Sequence, residues 1–556
     1  MHPRLILISN KYREELKNYF VNCFKTHRIQ NMSQTQTAEF SKWRSIFWPI
    51  HTFELKKLLP MLALFFLILF NYTVLRDTKD TLVVTASESG AEAIPFLKVW
   101  GVLPAAVLFL IGYSKLSNKL SKPALFYSTV LPFIVFFGLF STVLYPLRDI
   151  IHPNQTADYL QTVLPKGFGG LVAIFRNWTF SLFYIMSELW GSVALSLLFW
   201  GFANDTTKVS ESKRFYSLFG MGANFSLIIA GWVVKKLSSI RSNYGPEVDA
   251  WQISLNWLMA VVVVSGVLIM GIYFYINKVV LTDPRFIVES ENKAKKKEKP
   301  KLSMKESFLY LIRSRYMGAI ALIVIAYGVS INLVEVTWKQ QIKAQYPNSN
   351  DYNAFMGLFS QITGIVTIFM MLFVGSNVIR KLGWTTAALM TPIVLLVTGG
   401  AFFAFVIFKG SLTGMIAQLG TTPLMLAVIF GMAQNIMSKS SKYSLFDPTK
   451  EMAYIPLDQE AKVKGKAAID VVAARFGKSG GSMIQQGLII GLGSLAAATP
   501  YVAAILLVII LVWIGAAKSL GRRFAALTEQ KEQERQQDAA AKLQSLTKET
   551  AEVSKA

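Results

Sequence analysis

The chain of 556 residues is 53% hydrophobic and only 16% charged, with a formal net charge of +24. An average soluble domain is about 25% charged, so this composition excludes a soluble enzyme and a disordered chain and indicates a polytopic membrane protein. A single cysteine, Cys23, and four histidines leave no disulfide framework, and neither a metal nor a cofactor is expected.

Residues 1–50 read as a cytoplasmic N-terminal segment. The apolar run after Arg4, "LILI", is too short for a signal peptide, and Met32 is an alternative start. Twelve apolar runs follow, near or above the roughly 18 residues that cross about 30 Å of hydrocarbon as helix. They cover 58–85, 94–114, 123–146, 171–203, 214–235, 251–278, 316–338, 353–379, 384–408, 417–438, 467–493 and 499–519. The fold class expected is therefore an all-α polytopic membrane protein with twelve transmembrane helices. Loops on the side of the N-terminus hold 25 Lys plus Arg, and those on the other side hold 8. Positive loops stay inside, so both termini are expected in the cytoplasm.

The runs divide into a first six-helix half, 51–280, and a second, 313–520. Between them lies a basic cytoplasmic linker, 281–312, with "KAKKKEKPKLSMKES", which suits anchoring to anionic lipid. The polar tail 521–556 reads as a solvated helix with i to i+4 pairs. Matches at a nearly fixed offset support a repeat. "SLFGMGANFSLI" from Ser217 aligns with "ARFGKSGGSMIQ" from Ala474, and "YTVLRDTKDT" from Tyr72 with "YGVSINLVEVT" from Tyr327, which sets Asp80 on Glu335. "NDTTK" (204–208) and "DPTK" (447–450) match at a shorter offset, so an insertion, "EMAYIPLDQEAKVKG", is expected in the second loop. Two parallel six-helix repeats related by a pseudo-twofold axis form a major-facilitator-like carrier, with substrate held between the halves near the midplane.

Ionisable groups inside spans cost at least about 2.5–3.5 kcal/mol unless they face a polar cavity, so they carry the functional information. In "RDTKD", residues 76–80, Arg76 and Asp80 are four apart and able to pair on a helix, leaving Lys79 to an anion. The alternative is that the first helix ends near Leu75 and these charges are solvated. Glu188 stands alone in "FYIMSELWGSVALSLLFW" and must be paired, protonated or cavity-facing. A latch to Lys79 or Arg176 is one reading, and a coupling residue that releases a binding-site lysine is the other. Glu335 in "SINLVEVTWKQ" takes the same two readings. Lys478 lies too deep in the eleventh span to snorkel, with Arg475 almost one turn and Asp470 two turns before it. Asn224 in "GMGANFS" suits an interhelical hydrogen bond, or an adenine edge matched to its amide.

"RFGKSGG", residues 475–481, contains the Gly-Lys-Ser of a phosphate-cradling P-loop, but Val472 stands where that pattern requires glycine, and the stretch lies on a span. An ATP-hydrolysing pump is therefore excluded. Glycines 477, 480 and 481 suit either close helix packing or a bulky ligand. Lysines from both halves facing one cavity favour an anion with several phosphate charges, since Lys binds phosphate as a point charge.

The segments "NYTVLRDTKDTLVVTASESGAEAIPFLKVWGVLPAAV", "SELWGSVALSLLFWGFAN" and "AARFGKSGGSMIQQ" resemble the ATP/ADP translocase (nucleotide transporter) family of plastids and obligate intracellular bacteria. The resemblance covers roughly residues 50–520. It implies a twelve-span antiporter that exchanges ATP for ADP, with no enzymatic activity, and functional lysines and glutamates at Lys79, Glu188, Glu335 and Lys478. The partners it implies are ATP, ADP and the bilayer; no nucleic acid is expected, and a monomer is. The candidate phosphate ligands are Lys79, Lys478, Arg76 and Arg475. The coupling or gating candidates are Glu188, Glu335, Asp80 and Asp470, and Asn224 is the nucleobase candidate. A proton-coupled nucleotide symporter of the same fold, with Glu188 or Glu335 carrying the proton, is the alternative.

Overall fold

The structure, a computed structural model, describes residues 50–245, 247–286, 313–418, 420–469 and 473–553. Met32, most of the linker, Asp470 and the side chain of Lys478 lie outside the described residues. Among the described residues the chain is a succession of helices without a strand. The long ones are α1 (Leu55–Val84), α2 (Ala93–Ser117), α3 (Lys122–Leu144), α4 (Trp178–Thr206), α5 (Val209–Ser238) and α6 (Ala250–Val280). They continue with α7 (Arg315–Gln345), α8 (Ser349–Gly375), α9 (Ser376–Ile407), α10 (Pro423–Ser441), α11 (Ala474–Leu492) and α12 (Leu495–Val553). Ten helices, α1 to α9 and α12, are long and apolar enough to cross a membrane. Gln434, Asn435 and Lys439 interrupt the apolar sequence of α10, and Arg475, Lys478 and Ser479 that of α11.

Helix starts follow local chemistry. Ser121, Asp249, Ser314, Asn348 and Thr422 each accept a bond from a backbone N–H of the first turn, and prolines 123 and 423 occupy positions where a missing N–H costs nothing. Gly383 adopts φ +80° where α9 bends, a conformation open to glycine, just before the expected start of that span.

The first helix runs to Val84, as the span 58–85 expects and against the alternative of an end near Leu75, and carries "RDTKD" into the interior. Two expectations are corrected in detail. The fourth run is broken, since a helix Gly169–Arg176 stops at Asn177 before α4 begins. There the Asn177 amide bonds the carbonyls of Ser87 and Ala173, so one polar side chain both ends a helix and ties down a turn. The seventh span does not stop at 338, because α7 continues to Gln345 and takes Lys339 and Lys343 with it. The insertion at 451–465 forms a turn and much of a helix, Gln459–Ala468.

The first six and the last six helices meet most closely at the face opposite the start of α1, termed the far face. Gly231 of α5 and Gly357 of α8 let these two helices touch. A Cβ on Gly231 would lie 2.5 Å from the Gln361 nitrogen, and one on Gly357 2.5 Å from the Lys235 nitrogen. Nearer that face the Asn350 amide donates to the Ser238 carbonyl (3.0 Å) and Ser254 Oγ (2.7 Å). Asn353 joins Ser238 Oγ to Thr81, Thr85 bonds Ser349, and Lys343 bonds the Ser89 carbonyl. Among the described residues, the bonds joining the two sets run from mid-helix to the far face. The last in the other direction is the contact between Asn224 and Met371 at 3.5 Å. The structure is thus closed at the far face.

Candidate functional site

The "RDTKD" stretch sits in the last three turns of α1, against α4, α7 and α8. It does not pair as its spacing suggests. Arg76 bonds its neighbour Asp77 through Nε and Nη2, both at 3.1 Å, and not Asp80. Ser360 of α8 closes a triangle with them, donating to Asp77 Oδ2 at 2.6 Å while accepting from Arg76 Nη2 at 2.7 Å. Both oxygens of the buried Asp77 carboxylate are hydrogen-bonded, which makes a charged pair tolerable there.

One turn on, an alternating chain of acids and bases runs across the bundle. Glu188 Oε1 of α4 lies 3.0 Å from Lys79 Nζ, which also donates to Asp80 Oδ1 at 2.8 Å and stands 3.8 Å above the Tyr184 ring. The other oxygen of Asp80 takes Lys339 Nζ at 2.8 Å, and Lys339 bonds Glu335 Oε1 at 3.0 Å, both residues belonging to α7. Glu335 Oε2 is 3.8 Å from Lys98 of α2, whose ammonium donates to Asn332 Oδ1 at 2.6 Å. The order Glu188, Lys79, Asp80, Lys339, Glu335, Lys98 is neutral overall. Its middle is dry, with 3% of the Lys79 side chain and 2% of Lys339 exposed, whereas Glu188 is 30% exposed. The accessible ends are therefore the ones that can change partner, and an anion reaching the chain competes with a carboxylate for a lysine.

Of the residues expected from sequence, Lys79, Asp80, Glu188 and Glu335 come together in this chain, with Arg76 next to it. Glu188 is latched to Lys79 and not to Arg176, which pairs with Asp158. Lys79 is consequently shared between carboxylates instead of being left unengaged. Arg475 is exposed near the start of α11. The α11 glycines serve close packing, since Gly477 lies on Gly328 of α7 and a Cβ on Gly481 would come 2.8 Å from Asn332 Cβ. Asn224 donates to the Gly220 carbonyl at 3.0 Å and to Met371 across the two sets of helices, the interhelical reading of that residue.

Sequence reasoning missed Lys98, Lys339 and Lys439. Lys339 and Lys439 fall among the loop charges because the expected spans, 316–338 and 417–438, stop just before them, whereas the helices run on to Gln345 and Ser441. Lys98 lay inside a predicted span, four residues in, and only its depth signalled a role.

A profile of the TLC ATP/ADP transporter family matches residues 33–524. The ADP,ATP carrier protein 1 of Chlamydia pneumoniae is 61% identical over 504 residues, covering 90% of this chain and 98% of its own. The chloroplastic ADP,ATP carrier protein 1 of Arabidopsis thaliana is 54% identical, covering 87% and 77%, and the ADP,ATP carrier protein 1 of Rickettsia bellii is 43% identical, covering 90% and 100%. Among solved structures, a bacterial homologue of the iron transporter ferroportin in an inward-facing state superposes with a TM-score of 0.52 over 85% of this chain and 100% of that one. At 12% identity, this likeness bears on the fold alone.

Proposed function

This chain belongs to the TLC ATP/ADP transporter family, and from that premise we propose that it exchanges ATP for ADP across a membrane by alternating access. It is a carrier and not an enzyme. The observation that carries the mechanism is the Lys79–Glu188 latch at 3.0 Å, a buried cation held by an acid that is itself 30% exposed. A nucleotide phosphate replaces Glu188 on Lys79, and Lys478 of α11 meets the phosphates from the opposite half, with Arg76 and Arg475 adding positive charge along the path. Glu188, Glu335, Asp80 and Asp470 act as coupling groups that reclaim the cations when the nucleotide leaves. Asn224 contacts a nucleobase only in a state in which its bonds to Gly220 and Met371 are released.

The halves that rock are 51–280 and 313–520, with α10 and α11 crossing the membrane to complete twelve spans. The described state opens toward the face bearing the termini, which the Lys and Arg asymmetry assigns to the cytoplasm, in the inner membrane of a bacterial cell. The carrier works as a monomer. An empty carrier must cross poorly if exchange is obligatory, and lysines latched to carboxylates supply that barrier. Swapping ATP for ADP moves about one charge, so a membrane potential biases the exchange by about 2.3 kcal/mol per 100 mV. Calorimetric titration of the purified carrier with ATP and ADP tests the site. Both should bind, and Lys79→Gln should weaken both at least tenfold, the cost of about one charge-assisted hydrogen bond; unchanged affinity in that variant removes Lys79 from the site.

A further inference from the structure

Lys439 departs from the interior charge pattern. It stands on α10, partly exposed, with its ammonium 4.6 Å from the centroid of the Phe359 ring. Among the described residues it has no carboxylate within ion-pair distance. The charges that act on it are those of Arg76, Glu335, Lys339 and Asp77, and both acids are already committed. Asp77 is held by Arg76 and Ser360, and Glu335 by Lys339 and Lys98. The acid–base chain balances itself, and Arg76 balances Asp77. Among the described charges of this interior, Lys439 is therefore a positive charge in surplus. A ring face offsets only part of what a dehydrated ammonium costs.

We propose that Lys439 is a substrate-binding residue, the unlatched cation that takes a phosphate oxygen of the entering nucleotide before Glu188 yields Lys79. The assignment rests on the nucleotide exchange proposed above. Its logic is a difference between two lysines. An anion arriving at Lys79 must displace a carboxylate at 3.0 Å, with a second still bonded at 2.8 Å. At Lys439 the anion displaces no carboxylate and competes only with a ring contact. Phe359 precedes Ser360 in α8, and the charges of Arg76 and Asp77 both act on Lys439, so a phosphate held at Lys439 lies near a second cation, Arg76, from the opposite half. Order of engagement follows: capture at Lys439, then exchange of partners at Lys79.

Calorimetry on the purified full-length carrier tests this with Lys439→Met, which keeps an apolar stem, and Lys439→Arg, which keeps the charge. For Lys439→Met the dissociation constants of ATP and ADP should rise at least about tenfold, as expected when a charge-assisted bond is lost. Its melting temperature without nucleotide should rise, because an unbalanced interior charge is gone. Lys439→Arg should bind within about threefold of the unsubstituted carrier. A Lys439→Met variant that binds both nucleotides within twofold overturns the inference, and so does a lowered melting temperature, which marks a structural lysine. Failure of the unsubstituted carrier to bind either nucleotide would instead overturn the exchange reading beneath it.

Discussion

Replacing Glu188 by glutamine removes one charge from the latch and leaves its shape. In the structure Glu188 Oε1 sits 3.0 Å from Lys79 Nζ. At an effective dielectric near 20, two unit charges at that separation attract by about 5–6 kcal/mol. Glu188 is 30% exposed, so solvent screens the pair, and dehydration of both groups offsets a further share. About 1–3 kcal/mol is left as the net work of separating them. A nucleotide that binds Lys79 does this work in the native carrier and avoids it in Glu188→Gln. The variant should therefore bind ATP roughly tenfold tighter, within limits of about 5- to 150-fold set by that range. The same change should slow exchange, because no acid reclaims Lys79 to expel the phosphate. Calorimetry with ATP, paired with the exchange rate in liposomes, reads both effects. A folded Glu188→Gln carrier with unchanged or weaker ATP affinity refutes the latch.

Lys339 bridges two acids in the dry middle of the chain, so Lys339→Met leaves three acids to two lysines, Asp80 keeping only Lys79 and Glu335 only Lys98, and should destabilise the carrier by about 3–5 kcal/mol. Adding Asp80→Asn should recover part of that loss, and additive effects on the melting temperature would show that the two do not interact. At the far face, Gly231→Val sets a Cβ against the α8 backbone. Exchange should fall at least tenfold, and a cysteine placed at Ser349 in a Cys23→Ser background should become reactive from that face; an unreactive cysteine would contradict the gate. His152, between α3 and α4, bonds Thr179 and is held neutral by burial, its pKa lowered from an ordinary 6.5. The unfolded chain then takes up a proton that the folded chain refuses, so this contribution is present above about pH 6.5 and lost as the pH falls. Melting temperature should drop between pH 7.5 and 5.5, with a smaller drop in His152→Gln.

The fold was largely legible because membrane spans are written as apolar length, and the charges that break that rule are few. Arg76, Lys79, Asp80, Glu188 and Glu335 stood out for that reason, and the structure gathers all five in or beside one network. Their partners were not legible. Arg76 was read with Asp80 by helical spacing, but the choice of Asp77 depends on Ser360, some 280 residues away in sequence. Lys339 and Lys439 were lost to span ends, where the hydropathy of a cavity-lining helix falls before the helix does. The polar face of α10 shows why: Gln434, Asn435 and Lys439 face inward, so the sequence becomes hydrophilic while the chain is still inside the bundle. The glycines of "RFGKSGG" are explained by the close approach of α7 and α11, which no P-loop pattern anticipates.

The central claim is that the carrier crosses the membrane when nucleotide occupies its lysines and stalls when carboxylates do. Uptake of labelled ATP into liposomes, loaded with ADP or left empty, measures this directly. ADP-loaded vesicles should take up ATP at least tenfold faster than empty ones, because the latched carrier returns slowly. Equal uptake into loaded and empty vesicles would contradict the account.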